Sequence, residues 1–271
     1  MAFHQTMGLA VAECMQWLQN RPNKTVIEFG NQRFKLSPET LAAVTAKTGA
    51  KFNFPTNPQE YSDSTYSYFE QLGFDKYLAI DLNTRMRAVV MDLNKICKDE
   101  YNFTEQFDLV TNNGTGEHIF DQRVVFENMH NMTKVGGIML NVMPMTPWMN
   151  HGFYNFHPVL FRDLAYANDY KWCYLWIGTN LGKVKSFDLN GDIWAEIPRS
   201  DPMWKKPMSS MEEWIYKDCW DKGNVSVITA YIKTKDEPFK IPLQGKWIHN
   251  IETAELLNEY DQPDTWSKYH S

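Results

Sequence analysis

Two histidines in this sequence could remove a proton from a bound substrate near neutral pH. His118 follows Glu117 in the segment N-G-T-G-E-H, and His151 begins the segment H-G-F-Y-N-F-H-P. Histidine has an ordinary pKa of about 6.5, which suits proton removal when a group is transferred to oxygen or nitrogen. Glu117 could orient His118 or raise its pKa by opposite charge. We therefore predict that His118 and His151 are catalytic, the alternative for His118 being a local hydrogen bond at a helix start.

The segment that begins at His151 also offers polar and aromatic side chains for contact with a substrate. We predict this role for Tyr154, Asn155 and His157, and for Glu117 in the first segment. Glu117 and these histidines could jointly hold a divalent metal, but spacing in the sequence cannot show that they converge. We therefore predict no metal site. The four cysteines are far apart and lack the spacing of metal ligands.

The residues around His118 indicate a strand–loop–helix–strand unit. Residues 107–111 are a short apolar run with β-branched members, and turn residues begin at 112. Apolar residues then recur at helical spacing as far as Met132, and residues 138–142 have the pattern of a second buried strand. Such units build parallel sheets, whose ligands bind at the carboxyl ends of the strands. The loop at residues 112–118 is therefore the predicted site.

The rest of the chain also alternates between predicted strands and helices. The other strands are predicted at residues 25–29, 77–80, 88–91, 172–177 and 225–234. The other helices are predicted at residues 7–18, 38–47, 64–72, 158–167, 209–220 and 253–257. Lys134 and the glycines at 136 and 137 are predicted to end the helix that follows His118. We expect an α/β fold.

The order of these elements predicts one domain with an insert. Its core is expected at about residues 20–180 and 224–236, and a C-terminal tail at about 237–271. Residues from about 180 to 223 are rich in proline and tryptophan and are too long for an ordinary connection between strands. This insert is expected to cover the substrate side of the sheet.

Composition limits the classes of partner. Among 271 residues, 43% are hydrophobic and 22% charged, which is typical of a globular protein. The net charge is −6 and no cluster of basic residues occurs, so nucleic acid is not an expected partner. No apolar run approaches the roughly 18 residues of a membrane span, and no signal-peptide pattern is present. We expect a cytoplasmic protein with a small-molecule or carbohydrate substrate, and leave a homo-oligomer open.

Acidic residues at predicted strand ends carry a resemblance to a known family. Glu28-Phe29-Gly30 ends the first predicted strand, Asp81 ends the second and Asp92 follows the third. With the segments 107–117 and 136–144, this order resembles class I S-adenosylmethionine-dependent methyltransferases, in a branch that carries an N-G-T-x-E-H loop. The resemblance covers roughly residues 25–180 and the strand that begins at 225.

The resemblance implies a Rossmann-like, doubly wound, mostly parallel sheet of about seven strands with a late antiparallel strand. It implies S-adenosylmethionine as cofactor, with Asp81 on the ribose hydroxyls and Asp92 near the adenine amine. The full set of cofactor-binding residues that it implies is Glu28, Gly30, Asp81, Asp92, Asn112, Gly114 and Thr115. The predicted function is O- or N-methylation of a small molecule or carbohydrate.

The first glycine motif departs from the family pattern. The family has two or three glycines there, whereas this chain has Gly30 alone, in G-N-Q-R. Arg33 could hold the cofactor carboxylate instead, through a charge-assisted hydrogen bond. A non-catalytic cofactor-binding module with the same fold therefore remains an alternative. A nucleotide-sugar oxidoreductase is a third reading, against which the absence of G-x-G-x-x-G counts.

Overall fold

The structure is a computed structural model that describes residues 2–54, 64–179, 181–187, 210–215, 217 and 223–243. In these residues the main sheet has eight strands. Their spatial order is β5 (Ala88–Val90), β4 (Phe74–Asp81), β2 (Lys24–Phe29), β6 (Phe107–Asn113), β7 (Thr133–Thr146), β10 (Val225–Ile232), β8 (Lys171–Thr179) and β9 (Val184–Ser186). A small second sheet pairs β1 (Ala2–Phe3) with β3 (Arg33–Phe34) in parallel.

The main sheet has the predicted doubly wound arrangement. Strands β5, β4, β2, β6 and β7 pair in parallel, and β10 runs antiparallel to both β7 and β8. The predicted Rossmann-like α/β fold with a late antiparallel strand is therefore confirmed. The sheet has eight strands rather than about seven because β9, which lies within the predicted insert, adds an edge strand to β8.

Helices cover both faces of the main sheet. Their bounds are α1 (Gln5–Leu18), α2 (Pro38–Thr48), α3 (Ser64–Gln71), α4 (Cys97–Glu100), α5 (Gln122–Met132), α6 (Pro158–Ala167) and α7 (Ser210–Trp214). Successive strand residues point to opposite faces, so Val26 packs in the core under α1 and α3, while Ile27 packs in the core under α5 and α6. None of the helices in the described part is long and apolar enough to cross a membrane.

The caps of α2 are those expected from the sequence. Ser37 accepts a hydrogen bond from the N–H of Thr40 at 3.2 Å, and Pro38 occupies the first turn. Gly49 ends the helix in the left-handed conformation, with φ of 75°. The helix predicted at residues 253–257 lies outside the described residues.

The prediction that Lys134 and the next glycines end a helix is wrong. Helix α5 ends at Met132 and the chain enters β7 directly. The register between β6 and β7 shifts here, so these residues form a bulge in the strand. Gly136 has φ of 77° and bonds the carbonyl of Lys233, while a Cβ on Gly137 would lie 3.0 Å from the carbonyl oxygen of Phe107. Gly136 and Gly137 therefore allow the close packing of a β-bulge and do not cap a helix.

Asp108, near the start of β6, joins three elements at the amino end of the sheet. Its carboxylate accepts hydrogen bonds from Thr25 on β2, from Lys134 on β7 at 2.8 Å and from Arg21 after α1 at 3.1 Å. Burial alone would raise the pKa of Asp108, but the bonds from these three residues outweigh burial and hold the pKa below its usual value. The charged form therefore stabilises the fold.

We predict that Asp108→Asn lowers the free energy of unfolding at pH 7 by roughly 1–3 kcal/mol, since charge-assisted bonds are lost and the partners are partly exposed. Because the folded pKa is depressed, the contribution is present above the unfolded pKa of about 3.9 and is lost as pH falls through the folded value. Urea unfolding at pH 7 and at acid pH measures this difference.

The matched control is Asp169→Asn, which removes an exposed aspartate that bonds Lys235. This variant should change the stability little at either pH, because solvent screens exposed ion pairs. A loss in Asp108→Asn that stays constant down to pH 3 would contradict the ionic origin.

Candidate functional site

A row of buried polar side chains fixes the loop that follows β6. Asn112 on β6 stands beside Asn141 on β7, which stands beside Thr229 on β10. The amide of Asn112 donates to Asn141 at 3.4 Å, and the amide of Asn141 donates to Thr229 at 3.5 Å. Asn112 Oδ1 also accepts the N–H of Gly116 at 2.9 Å. Two amides therefore link the start of the loop to the neighbouring strands: Asn112 bonds β7, and Asn141 continues the row to β10.

Thr115 ties this loop to the end of β2. Its hydroxyl donates to the carbonyl of Phe29 at 2.5 Å. Gly30 has φ of 79°, and a Cβ there would collide with the Thr115 hydroxyl. Gly114 also has positive φ, and its N–H donates to Val142 on β7 at 2.9 Å. The predicted residues Gly30, Gly114 and Thr115 thus lie together at the carboxyl end of the sheet.

The two predicted histidine segments meet at Glu117. Residues Gly116–His118 form a 3-10 turn, and the side chain of Glu117 is only 1% exposed. Glu117 Oε1 lies 3.2 Å from His151 Nε2 and 3.7 Å from His118 Nε2. The centroids of the two imidazole rings are 5.0 Å apart. Glu117, His118 and His151 are called the histidine–glutamate centre below.

Main-chain contacts hold the two segments of this centre together. The N–H of Phe153 donates to the Glu117 carbonyl at 2.8 Å. A Cβ on Gly152 would lie 2.8 Å from Glu117 Cγ, so only glycine permits this approach. The N–H of His118 donates to the carbonyl of Thr115 at 3.0 Å. Main-chain groups of both segments, at residues 115–118 and 152–153, therefore fix the position of Glu117.

Desolvation sets the charges of the centre. Burial raises the pKa of Glu117 to about 7. Burial, followed by the neighbouring His151, lowers the pKa of His118, and burial lowers the pKa of His151. The prediction that Glu117 raises the pKa of His118 is wrong, because removal from water disfavours the imidazolium and the buried acid is itself only partly ionised near neutrality. Both imidazoles are neutral at pH 7.

Trp148 belongs to the site and was missed in the sequence analysis. The centroid of its ring lies 4.6 Å from the centroid of the His151 ring, and its indole N–H donates to the carbonyl of Val225 at 2.7 Å. The bond to β10 fixes the indole, and the indole packs on the imidazole. Its position three residues before His151 was the feature of the sequence that could have indicated this contact.

The other predicted substrate residues do not join the histidine–glutamate centre. Tyr154 donates its hydroxyl to the carbonyl of Phe120 at 2.9 Å. Asn155 is exposed, with its amide 3.5 Å from the carbonyl of Pro147. His157 is exposed at the N-cap of α6. Their roles in substrate binding stay predictions.

The predicted cofactor acids have different surroundings. Asp81 is partly exposed; one carboxylate oxygen accepts the N–H of Asn31 at 3.0 Å, and the other accepts from Leu82 and Asn83. Asp81 therefore joins the loops after β2 and β4. Asp92 accepts two bonds from Asn94, both at 2.9 Å, as an acid does within a turn.

Glu28 lies near the carboxyl end of β2. It is fully buried on β2 and accepts a hydrogen bond from the hydroxyl of Tyr77 at 2.8 Å. Burial raises its pKa to about 8, against the side chains of Tyr77, Asn113 and Thr111, which lower it. Glu28 is therefore mainly protonated at pH 7.

Two buried amides near Glu28 have unused hydrogen-bonding atoms. Gln32 donates to the carbonyl of Asn113 at 3.0 Å, but its Oε1 accepts no hydrogen bond. The Asn113 amide lies beside the Glu28 carboxyl without completing a hydrogen bond of normal geometry. Unsatisfied buried polar atoms are costly, and in a native structure each one calls for an explanation such as a catalytic role or a bound water or ion. No pattern in the sequence distinguishes these two residues from other turn residues.

No protein-family model and no curated protein matches this sequence. Similar solved structures include a Burkholderia thailandensis 1,6-didemethyltoxoflavin-N1-methyltransferase, at 12% identity and TM-score 0.45, covering 85% of this chain and 80% of that one. The N-methyltransferase NodS from Bradyrhizobium japonicum WM9 has 10% identity, TM-score 0.43 and coverage of 84% and 86%. A geranyl diphosphate methyltransferase has 15% identity, TM-score 0.38 and coverage of 83% and 84%. Likenesses this distant do not assign a function.

We predict that Gly30→Ala destabilises the protein by about 2–4 kcal/mol, because strain at positive φ adds to a collision with Thr115 and to loss of its bond to Phe29. Gly49→Ala is the matched control, since Gly49 has nearly the same φ but no atom within 4 Å of an added Cβ. Its cost should be about 1 kcal/mol from backbone strain alone. Urea unfolding of both variants measures the difference, and equal losses would contradict the role of Thr115.

Proposed function

We propose that this protein is an S-adenosylmethionine-dependent methyltransferase acting on a small molecule or carbohydrate. The observation that carries the proposal is the histidine–glutamate centre at the carboxyl end of β6, joined through Thr115 to Gly30 at the end of β2. Open α/β sheets bind ligands at this edge. The family that the sequence resembles binds its cofactor at the end of the first strand of its sheet, which corresponds here to β2.

The residues at the end of β2 fit the chemistry of this cofactor. Asp81 is partly exposed, and carboxylate oxygens can accept from the adjacent hydroxyls of a ribose. The unused atoms of Gln32 and Asn113 offer both a donor and acceptors. The amino-acid portion of S-adenosylmethionine carries an ammonium donor and a carboxylate acceptor, which match them. When bound, the cofactor supplies the methyl group.

The histidine–glutamate centre can prepare an acceptor for methylation. A neutral imidazole accepts a hydrogen bond from an acceptor hydroxyl and takes its proton, so that a lone pair on the acceptor oxygen becomes free. His118 is accessible for this task, with 36% of its side chain exposed. Glu117 orients His151 through their 3.2 Å contact, and Trp148 packs on the ring.

Exposed aromatic side chains next to the centre support a small or carbohydrate acceptor. Phe120 and Phe153 each follow a centre histidine by two positions, and they are 72% and 67% exposed. The centroids of their rings are 6.1 Å apart, and the rings meet edge to face. Aromatic faces bind apolar rings and the C–H faces of sugars. The net charge of −6 disfavours nucleic acid as the acceptor.

A non-catalytic cofactor-binding module is the second candidate, and the single glycine of the first motif favours it. Such a module needs polar side chains at the end of β2 but has no need of two neutral imidazoles around a buried carboxyl. The histidine–glutamate centre therefore favours the enzyme.

We predict that S-adenosylhomocysteine binds the protein and that Asp81→Ala weakens binding by about 10- to 150-fold, corresponding to roughly 1.5–3 kcal/mol for hydrogen bonds to a charged group. Asp75→Ala is the control, because Asp75 is exposed at the opposite end of the same strand. Isothermal titration calorimetry measures both affinities. Equal affinities for the two variants would reject the ribose contact, and no binding by the wild type would reject the cofactor.

We predict that His118→Ala reduces kcat by about 10²–10⁴-fold and leaves the affinity for S-adenosylhomocysteine unchanged. Turnover needs neutral imidazoles, so the wild-type rate should fall with decreasing pH only below the ordinary histidine value of about 6.5. The assay follows transfer of labelled methyl groups to monosaccharides, phenols and alcohols. A folded His118→Ala enzyme with wild-type kcat and the wild-type pH profile would remove His118 from the mechanism.

A further inference from the structure

We propose that Glu117, His118 and His151 bind one divalent transition-metal ion. One ligand atom from each residue lies within 4.8 Å of the others, and among the described residues these form a group able to hold a metal. The ligand set has two imidazole nitrogens and one carboxylate oxygen. Metal binding goes beyond the proposed function and does not depend on methyl transfer.

The separations of the ligand atoms suit a shared ion. Bonds of about 2.0–2.2 Å place neighbouring ligand atoms about 3.3–3.6 Å apart in a tetrahedral site and about 2.8–3.1 Å apart in an octahedral one. Glu117 Oε1 lies 3.2 Å from His151 Nε2 and 3.7 Å from His118 Nε2. The ligand nitrogens of the two histidines lie within 4.8 Å of each other, so the imidazoles would move towards each other to share one ion.

The second oxygen of Glu117 is an independent indication of a cation. Glu117 Oε2 is buried and has no hydrogen-bond partner. The side chain of Glu117 is only 1% exposed, so this oxygen is held out of contact with solvent. A carboxylate fixed in this way is costly without a compensating charge. A cation in the centre supplies that charge.

The chemistry of the ligands selects the class of metal. Imidazole nitrogen suits zinc, copper, iron and nickel, whereas magnesium, calcium and manganese prefer oxygen ligands. Three protein ligands leave at least one coordination position for water or another molecule. Because His118 and His151 are each about one third exposed, that position can face solvent.

The site would also define the acceptor, and this consequence rests on the proposed function. A hydroxyl bound to the metal loses its proton more readily, because the cation stabilises the oxyanion that remains. In this arrangement the imidazoles serve as ligands, so solvent rather than His118 takes the proton of the bound hydroxyl. The methyl group moves from the sulfonium sulfur of S-adenosylmethionine to the bound oxygen, which leaves S-adenosylhomocysteine. Hydroxyl acceptors are therefore expected rather than amines.

Cobalt(II) binding tests the site directly. The tag-free full chain is stripped with a chelator and titrated with Co²⁺ by calorimetry and by visible absorption, with Mg²⁺ in a parallel titration. We expect one Co²⁺ per chain and little response to Mg²⁺. Because both imidazoles are ligands, His118→Ala and His151→Ala should each weaken Co²⁺ binding by more than about 100-fold.

Two further variants sharpen the test. His157→Ala removes an exposed histidine outside the centre and should bind Co²⁺ as the wild type does. Glu117→Gln keeps the shape of the buried side chain but removes its charge, and should also weaken binding. Circular dichroism verifies that each variant is folded.

Failure of the metal site and failure of the proposed function give different results. No Co²⁺ binding by the wild type, or binding that His118→Ala and His151→Ala leave intact, would overturn the metal site whatever the cofactor result. A wild-type protein that binds Co²⁺ but does not bind S-adenosylhomocysteine would overturn the methyltransferase and keep the metal site.

Discussion

The conformation at the carboxyl end of β6 depends on the hydrogen bonds of one buried side-chain amide, that of Asn112. Asn112 has no access to water, so it bonds Asn141 on the next strand and the N–H of Gly116 in the loop. The second bond starts the 3-10 turn that carries Glu117 and His118. A different orientation of this amide would leave polar atoms unpaired in the core and would release the turn. The geometry of the histidine–glutamate centre thus depends on a side chain that does not belong to it.

Burial decides the charges at this edge of the sheet. Two acids near it, Glu28 and Glu117, both have a raised pKa, and His118 and His151 both have a lowered pKa. Coulomb attraction would favour a charged pair, but each ion would first lose its hydration, and that cost is the larger one here. Asp108 at the opposite end shows the contrary balance, because Lys134, Thr25 and Arg21 supply enough hydrogen bonds to keep it ionised. Asp108 at the amino end is therefore stabilised in its charged form, whereas burial favours the neutral forms of Glu28, Glu117, His118 and His151 at the carboxyl end.

Local patterns in the sequence predicted most elements because each has a short-range cause. The Ser37 cap and Gly49 fixed α2, and apolar β-branched runs fixed the central strands. The error at Lys134 had a tertiary cause: the same glycines suit a helix end or a strand bulge, and only pairing with β6 decides between them. The convergence of His118 and His151 on Glu117 could not be predicted from the sequence either, since the two histidines are 33 positions apart in the chain. The sign of their pKa shifts followed from burial, which residue order does not encode.

Thr115 explains how a first motif with one glycine can form a closed turn. Family motifs with several glycines let backbone approach backbone, whereas here the space beside Gly30 is filled by the Thr115 side chain, which bonds the carbonyl of Phe29. The turn after β2 is thus completed by the loop after β6. Glu117 lies two residues further along that loop, and Gly114 binds it to β7. The carboxyl end of β2 and the histidine–glutamate centre are therefore parts of one packed unit, linked through Thr115.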